Sequence, residues 1–315
     1  MSEMHSPAVK DNGPADGPAG SPAEPVNKAG DLTQLQIIWR RFRRHRAAMI
    51  SLVSLGLIVA FAFLGPLAWP WGYTVNPDIP SNAGPSLEHP FGTTKQGTDV
   101  FAQTMRGAQQ SLKVALTVAI VSTIVGATWG AVAGYYRGRI DAIMMRIADV
   151  FLIIPLIVAV ASINGAVRGG TTWYAVALIM CLFSWATIAR VVRGVVLSLR
   201  EQEFIEAARA AGAKATRIIF RHLLPNAAGP IIVAATLLIA VAVLTEAGLS
   251  FIGFGIQPPD ISLGKMVEGA RTAAFTRPWL FYPPGVLIVL ICLTINFIGD
   301  GLRDALDPRQ TMVRR

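Results

Sequence analysis

Along this chain, long apolar runs with few charges alternate with polar, glycine- and proline-rich or strongly basic segments. The apolar runs are Ala47–Trp69, Leu112–Gly134, Ile147–Ile163, Trp173–Ala189, Pro230–Leu249 and Leu280–Gly299. A hydrocarbon layer about 30 Å thick needs roughly 20 apolar residues at about 1.5 Å of helical rise each. Each run therefore predicts a membrane-crossing helix, and the chain reads as an all-α, polytopic membrane protein with six transmembrane helices.

The longest polar interruption on the basic side, Gln202–Pro225, has its own helical pattern. Phe204, Ile205, Ala208 and Ala211 fall on one side of a wheel, with Glu203, Glu206 and Arg209 on another. After Gly212 a second pattern sets Ile218, Ile219 and Leu223 against Lys214, Arg217 and Arg221, and is expected to stop at Pro225. Two short helices joined at a glycine follow, neither long enough to be stable alone in water. Glu201, Glu203 and Glu206 would be repelled by anionic headgroups, so a protein groove suits the first helix better than the membrane surface.

Inside the runs, Pro155 and the pair Pro283–Pro284 predict kinks, because each proline removes a donor and clashes with the preceding turn. Asp149, beside Arg146 at an inner boundary, is expected to form a local ion pair. Glu246, near the outer end of the fifth run, is a candidate to line a pathway, with a cap on a neighbouring helix or a place in the interface as alternatives. Gly126 and Gly130 form a small-xxx-small pair that predicts close helix packing.

Composition and charge narrow the class. Hydrophobic residues make up 53% of the 315 and charged ones 15%, and mean hydropathy is +0.50, too apolar for a soluble domain. The net charge of +9 would suit nucleic acid, but its placement argues otherwise. With a cytoplasmic N-terminus, inner segments hold 19 Lys and Arg and outer segments hold 6, which places both termini in the cytoplasm. "RRFRRHR" at 40–46 then reads as a topology determinant touching anionic headgroups rather than a nucleic-acid arm. Residues 1–30, rich in proline and glycine, are expected to be a disordered cytoplasmic tail. The first run is too long for a signal-peptide core and no small-residue cleavage site follows it, so it should remain as an anchor. Cys181 and Cys292 both fall in apolar runs and read as buried small side chains.

The chain carries no phosphate-cradling G-x-x-x-x-G-K-[ST]; its Gly264–Lys265 is followed by Met266. No H-E-x-x-H occurs, and His5, His45, His89 and His222 are scattered. No ATP-binding, catalytic or metal site is expected in this chain.

"EAARAAG" at 206–212, nine further residues, then "HLLP" at 222–225 resembles the EAA loop of ABC importer permeases, and "RHLLPN" at 221–226 its peptide-permease form. "HPFGTTKQGTDVF" at 89–101, "MRIADVFLIIP" at 145–155, "LSFIGFGIQPP" at 249–259 and "FIGDGLRDALDPR" at 297–309 resemble the same dipeptide/oligopeptide importer family. The likeness runs from 40 to 310. Departures are "DISLGKMV" at 260–267, without the Trp usual before the glycine, and "SWATIAR" at 184–190, without the usual proline.

The resemblance implies a type I ABC importer permease fold in a prokaryotic inner membrane, divided as 1–30 tail, 31–111 first helix and outer loop, 112–300 permease core and 301–315 C-terminal tail. It implies a homologous second permease subunit, two ATP-binding subunits that hold ATP and Mg, and an extracytoplasmic substrate-binding protein. The ATPase-coupling residues would be Glu203, Glu206, Ala207, Ala208, Arg209, Gly212, Arg217, Arg221, His222, Leu224 and Pro225. Peptides are the implied cargo; nickel, haem or another small solute, or a secondary transporter, are the alternatives.

Overall fold

A computed structural model describes residues 34–166 and 172–306. The expected tail at 1–30 and the C-terminal residues 307–315 lie outside the described residues. Among those described, secondary structure is helical apart from an isolated bridge between Thr93 and Asp99.

Five helices are individually long and apolar enough to span a membrane, among the described residues: α2 (Arg46–Ala68), α3 (Val100–Tyr136), α6 (Trp173–Leu199), α10 (Ala228–Phe251) and α12 (Pro278–Leu306). The third expected span is instead a pair, α4 (Gly138–Ile153) and α5 (Leu156–Ala166), bent by 74° at the break. The break falls at Ile154 and Pro155, where the ring removes the amide that would continue the ladder. Pro283 and Pro284 behave differently: both lie inside α12, which is assigned as one helix through them. They sit in its second turn, close to the end whose first four amides lack intrahelical partners in any helix.

The spine of the fold is α3 against α6. Gly126 and Gly130 lie on the backbone of α6, where a side chain on either would collide with the carbonyl oxygens of Trp185 and Ala189. That close approach is what the small-residue spacing predicted. α10 and α12 pack beside α3, and α2 closes on α12, around a core that includes Val118, Met180, Val243 and Ile291. Cys181 and Cys292 are buried free thiols. Ile50, Leu57, Ile124, Leu178 and Leu244 remain exposed on the spans, as lipid-facing positions do.

α4 is strapped across α6 by charge. Arg193 grips Asp141 with two bonds of 2.6 Å, and Arg190 donates to Asp149 at 2.6 Å. Asp149 is thus paired across helices rather than with Arg146 on its own turn; Ala148 is fully buried beside Trp185, and that packing brings Arg190 to the neighbouring position.

Three further elements were not anticipated. α1 (Gln34–Phe42) precedes the first span and buries Phe42 against Gly301 and Ala48 while Trp39 stays half exposed. α3 begins at Val100, so the expected outer loop 70–111 ends twelve residues early. The second outer segment contains α11 (Leu263–Gly269) and a 3-10 turn, Arg271–Ala273.

Candidate functional site: an inner elbow and an outer polar network

The inner elbow starts with α7 (Glu203–Ala210), whose buried side chain is Ile205. The chain then turns at Gly212, with φ +77°. The amide of Gly212 donates to the Arg209 carbonyl at 2.9 Å, and that of Ala213 to the Ala208 carbonyl at 3.0 Å. This pair of bonds is the Schellman closure, which needs a left-handed residue at the position Gly212 occupies.

The second arm runs through α8 (Ala215–Arg217), a π-helical turn over Ile218–Leu223 and α9 (Leu224–Asn226). The expected stop at Pro225 does not occur: helix continues past it and resumes as α10 at Ala228. The wide turn supplies the reason, since the Leu224 amide reaches back to the Ile219 carbonyl, five residues away. One extra residue per turn relieves the clash a proline ring makes with the carbonyl four residues before it.

Ile205, Ile218, Ile219 and Leu223 are buried together with Ala131, Ile188 and Val192. They are the roots of the elbow, each contributing about 1.5–3 kcal/mol if fully removed from water. Phe204, expected on the buried side, is 41% exposed, because an eight-residue helix offers one inward position here. Glu203, Glu206, Ala207, Arg209, Gly212, Arg217, Arg221 and Pro225 are all exposed, while Ala208, His222 and Leu224 are half-buried.

A clamp that the sequence did not reveal ties this elbow to α3. Arg200 donates to the Tyr135 carbonyl, Arg137 pairs with Glu201 at 2.9 Å, and the Arg209 guanidinium lies over the Tyr135 ring, 5.4 Å from its centroid. Burial lowers the Arg200 pKa from its ordinary value, and the nearby charges of Arg137 and Arg209 push the same way.

The opposite end of the molecule is held by buried polar groups. Asp99 is fully buried; it caps α3 by accepting from the Ala102 amide at 2.6 Å, accepts from Trp69 at 3.3 Å and meets His89 Nδ1 at 2.6 Å. Asp260 accepts from Arg106 through Nε at 2.8 Å and Nη2 at 3.1 Å, and from Gln110 at 2.6 Å. Glu246 is fully buried; Ser111 donates to it at 2.8 Å and Ser250 at 2.7 Å. Ser262, which caps α11, lies 3.0 Å from Ser250. Glu246 thus joins α3, α10 and α11 inside this chain.

A multi-pass helical membrane protein with an exposed, charged elbow between two spans is the class these features define. The fold is that of a type I ABC importer permease: a chain of the MetNI methionine ABC transporter, in inward facing conformations, superposes with a TM-score of 0.55 at 22% identity, over 65% of this chain and 96% of that one. A second crystal form of that transporter gives 0.54 over 64% and 95%.

Residues 126–312 match the binding-protein-dependent transport system inner membrane component, and residues 33–85 match the N-terminal TM domain of oligopeptide transport permease C. The chain belongs to the family of binding-protein-dependent transport system inner membrane components. It is 41% identical over 282 residues to the oligopeptide transport system permease protein OppC of Mycobacterium tuberculosis H37Rv, covering 89% of this chain and 96% of that one. It is 37% identical over 293 residues to the protein of the same name in Bacillus subtilis 168, covering 89% and 94%. A putative peptide permease protein of Brucella suis biovar 1 is 41% identical over 271 residues, covering 85% and 89%.

Proposed function

We propose that this chain is the membrane-spanning permease subunit of an ATP-driven importer of peptides, coupled through the elbow at 203–225 to separate ATPase subunits. A homologous second permease completes the path, two ATP-binding subunits carry ATP and Mg on the inner side, and a substrate-binding protein delivers cargo from outside. Both termini face the cytoplasm, which agrees with the basic residues crowded on the elbow side. The names of the mycobacterial and bacillar relatives support peptides as the cargo class.

The observation that carries this reading is the elbow's division of labour. Ile205, Ile218, Ile219 and Leu223 root it under α3 and α6, while Glu203, Glu206, Arg217 and Arg221 are exposed. A rooted, polar, small-residue projection suits a groove on another polypeptide. Closure of the two ATPases on ATP moves the elbows, and with them the spans, between inward and outward openings.

The test is reconstitution of the four-subunit complex in proteoliposomes with its binding protein. Labelled peptide should accumulate only with ATP inside the ATPase compartment, and Gly212→Trp should lower uptake by about tenfold or more while membrane insertion persists. Uptake by Gly212→Trp equal to wild type, with normal ATPase stimulation, would refute the coupling role.

A further inference from the structure

The outer end of the molecule holds a cavity of about 600 Å³, walled by residues 73–75 and 94–98 of the first outer segment, the start of α3, and residues 258–277 of the second. Four charged side chains line it: Lys95, Asp260, Lys265 and Arg277. Their surroundings decide its sign. Asp260 is the guanidinium partner of Arg106 and also accepts from Gln110, so its charge is already met from behind the wall. Lys265 is matched by Glu268 at 3.1 Å. Arg277 donates to the neutral amide of Asn82, and Lys95 stands exposed. Among the described residues, Lys95 and Arg277 are left facing the cavity without a carboxylate partner.

The walls are also fixed before anything enters. Thr94 and Thr98 join through their hydroxyls, the Asn82 amide donates to the Thr94 carbonyl at 3.0 Å, and Asp99 anchors the loop from beneath. A preformed basin loses little freedom on binding. Val100 and Gln103, on its α3 wall, precede Leu112 by twelve and nine residues, which at about 1.5 Å each puts that wall roughly 14–18 Å beyond the start of the apolar run. Leu280, the first residue of the sixth apolar run, lines it too, so the basin reaches down to the edge of the apolar layer.

We propose that this basin seats an acidic side chain carried on a loop of the substrate-binding protein, held by Lys95 and Arg277. The assignment rests on the importer reading and on its orientation. The volume is many times that of one carboxylate, so the acid arrives with the chain around it. Docking at Lys95 and Arg277 bridges the first outer segment and the second, which Asp260 and Ser262 fasten to α3 and α10.

The experiment uses the reconstituted complex and its substrate-binding protein, and reads the concentration of binding protein that half-maximally stimulates ATP hydrolysis. Lys95→Glu with Arg277→Glu should raise that concentration about tenfold or more, with the change in concentration dependence rather than in the rate at saturation. Raising ionic strength should shift the wild-type curve in the same direction and the double variant's hardly at all, and Lys95→Arg should follow wild type. Should the double variant not assemble, Lys95→Glu alone carries the test with a smaller shift. Independently, maleimide labelling of Gln96→Cys should slow when binding protein is added; Cys181 and Cys292 are buried and leave little background.

An unchanged half-stimulating concentration in the charge-reversed complex, or labelling of Gln96→Cys indifferent to binding protein, would overturn the seat. So would a shift that follows amidation of the transported peptide instead, because the carboxylate would then belong to cargo. A wild-type complex that the binding protein does not stimulate would sink the importer reading itself, an outcome distinct from a stimulated wild type with indifferent variants.

Discussion

The two ends of this molecule solve opposite problems with similar residues. At the inner elbow, acids and arginines stand on the surface, and α7 commits one side chain, Ile205, to the core. At the outer end, Asp99 and Glu246 are fully buried and spend their oxygens on His89, Trp69, Ser111, Ser250 and a helix-capping amide. A charge left outside is available to another chain, whereas one turned inward fixes shape because an unmet buried group is costly. The elbow therefore keeps its charges on the surface, and the network around Asp99 and Glu246 is a scaffold that holds its form alone.

Substitutions can break this contrast, and the outer network should suffer most. Asp99→Ala strands His89, Trp69 Nε1 and the Ala102 amide together, so a stability loss of about 3–5 kcal/mol is expected. It should appear as a large fall in the unfolding midpoint of the purified complex and as early protease cleavage between 70 and 99. Glu246→Ala leaves two serine hydroxyls without their acceptor, at about 1–3 kcal/mol. Hydrogen exchange in α11 should quicken, because Ser262 loses its link through Ser250.

Gly212→Ala should cost about 1–2 kcal/mol, since a Cβ is strained in the left-handed region even though no other atom lies within 4 Å of it. Here the stability change should be smaller than the loss of uptake, the reverse of the pattern at Asp99. The smallest effect belongs to Arg190→Gln. Its partner Asp149 and its own side chain are 32% and 55% exposed, and such a pair is worth about 0.2–1 kcal/mol. A double-mutant cycle with Asp149→Asn measures that coupling; a value near that of Asp99 would erase the distinction between surface and buried charge.

Much of this was readable in advance because lipid imposes a simple rule. Runs of apolar residues marked the spans, and Gly212 marked the elbow, since a glycine interrupting a helical pattern signals a left-handed turn. Hydropathy records contact with lipid, however, rather than helix itself. The first turns of α3 contain Gln103, Thr104, Arg106, Gln109 and Gln110 and so read as loop, although Asp99 is placed as an N-cap. α11 was missed in the same way, with Ser262 as its cap.

Partner choice was the least legible property. Asp149 had an arginine three residues away in sequence but found Arg190 on α6, and the clamp of Arg137, Arg200 and Tyr135 exists only once α3, α6 and α7 are assembled. Pro225 was misread because a breaker was weighed without the π-turn that accommodates it. Glu246 sat in a run where lipid, water and protein were all open neighbours; the fold surrounds it with serines.

The 37 residues of α3 form a rod of about 55 Å at 1.5 Å per residue, nearly twice the thickness of the hydrocarbon. Its tightest crossing with α6, at Gly126 and Gly130, divides it unequally, into an inner arm of about 12 Å and an outer arm of about 42 Å. A rigid tilt about that fulcrum would be geared: a shift of about 1 Å beneath Tyr135 would carry the tip at Val100 through roughly 3.5 Å.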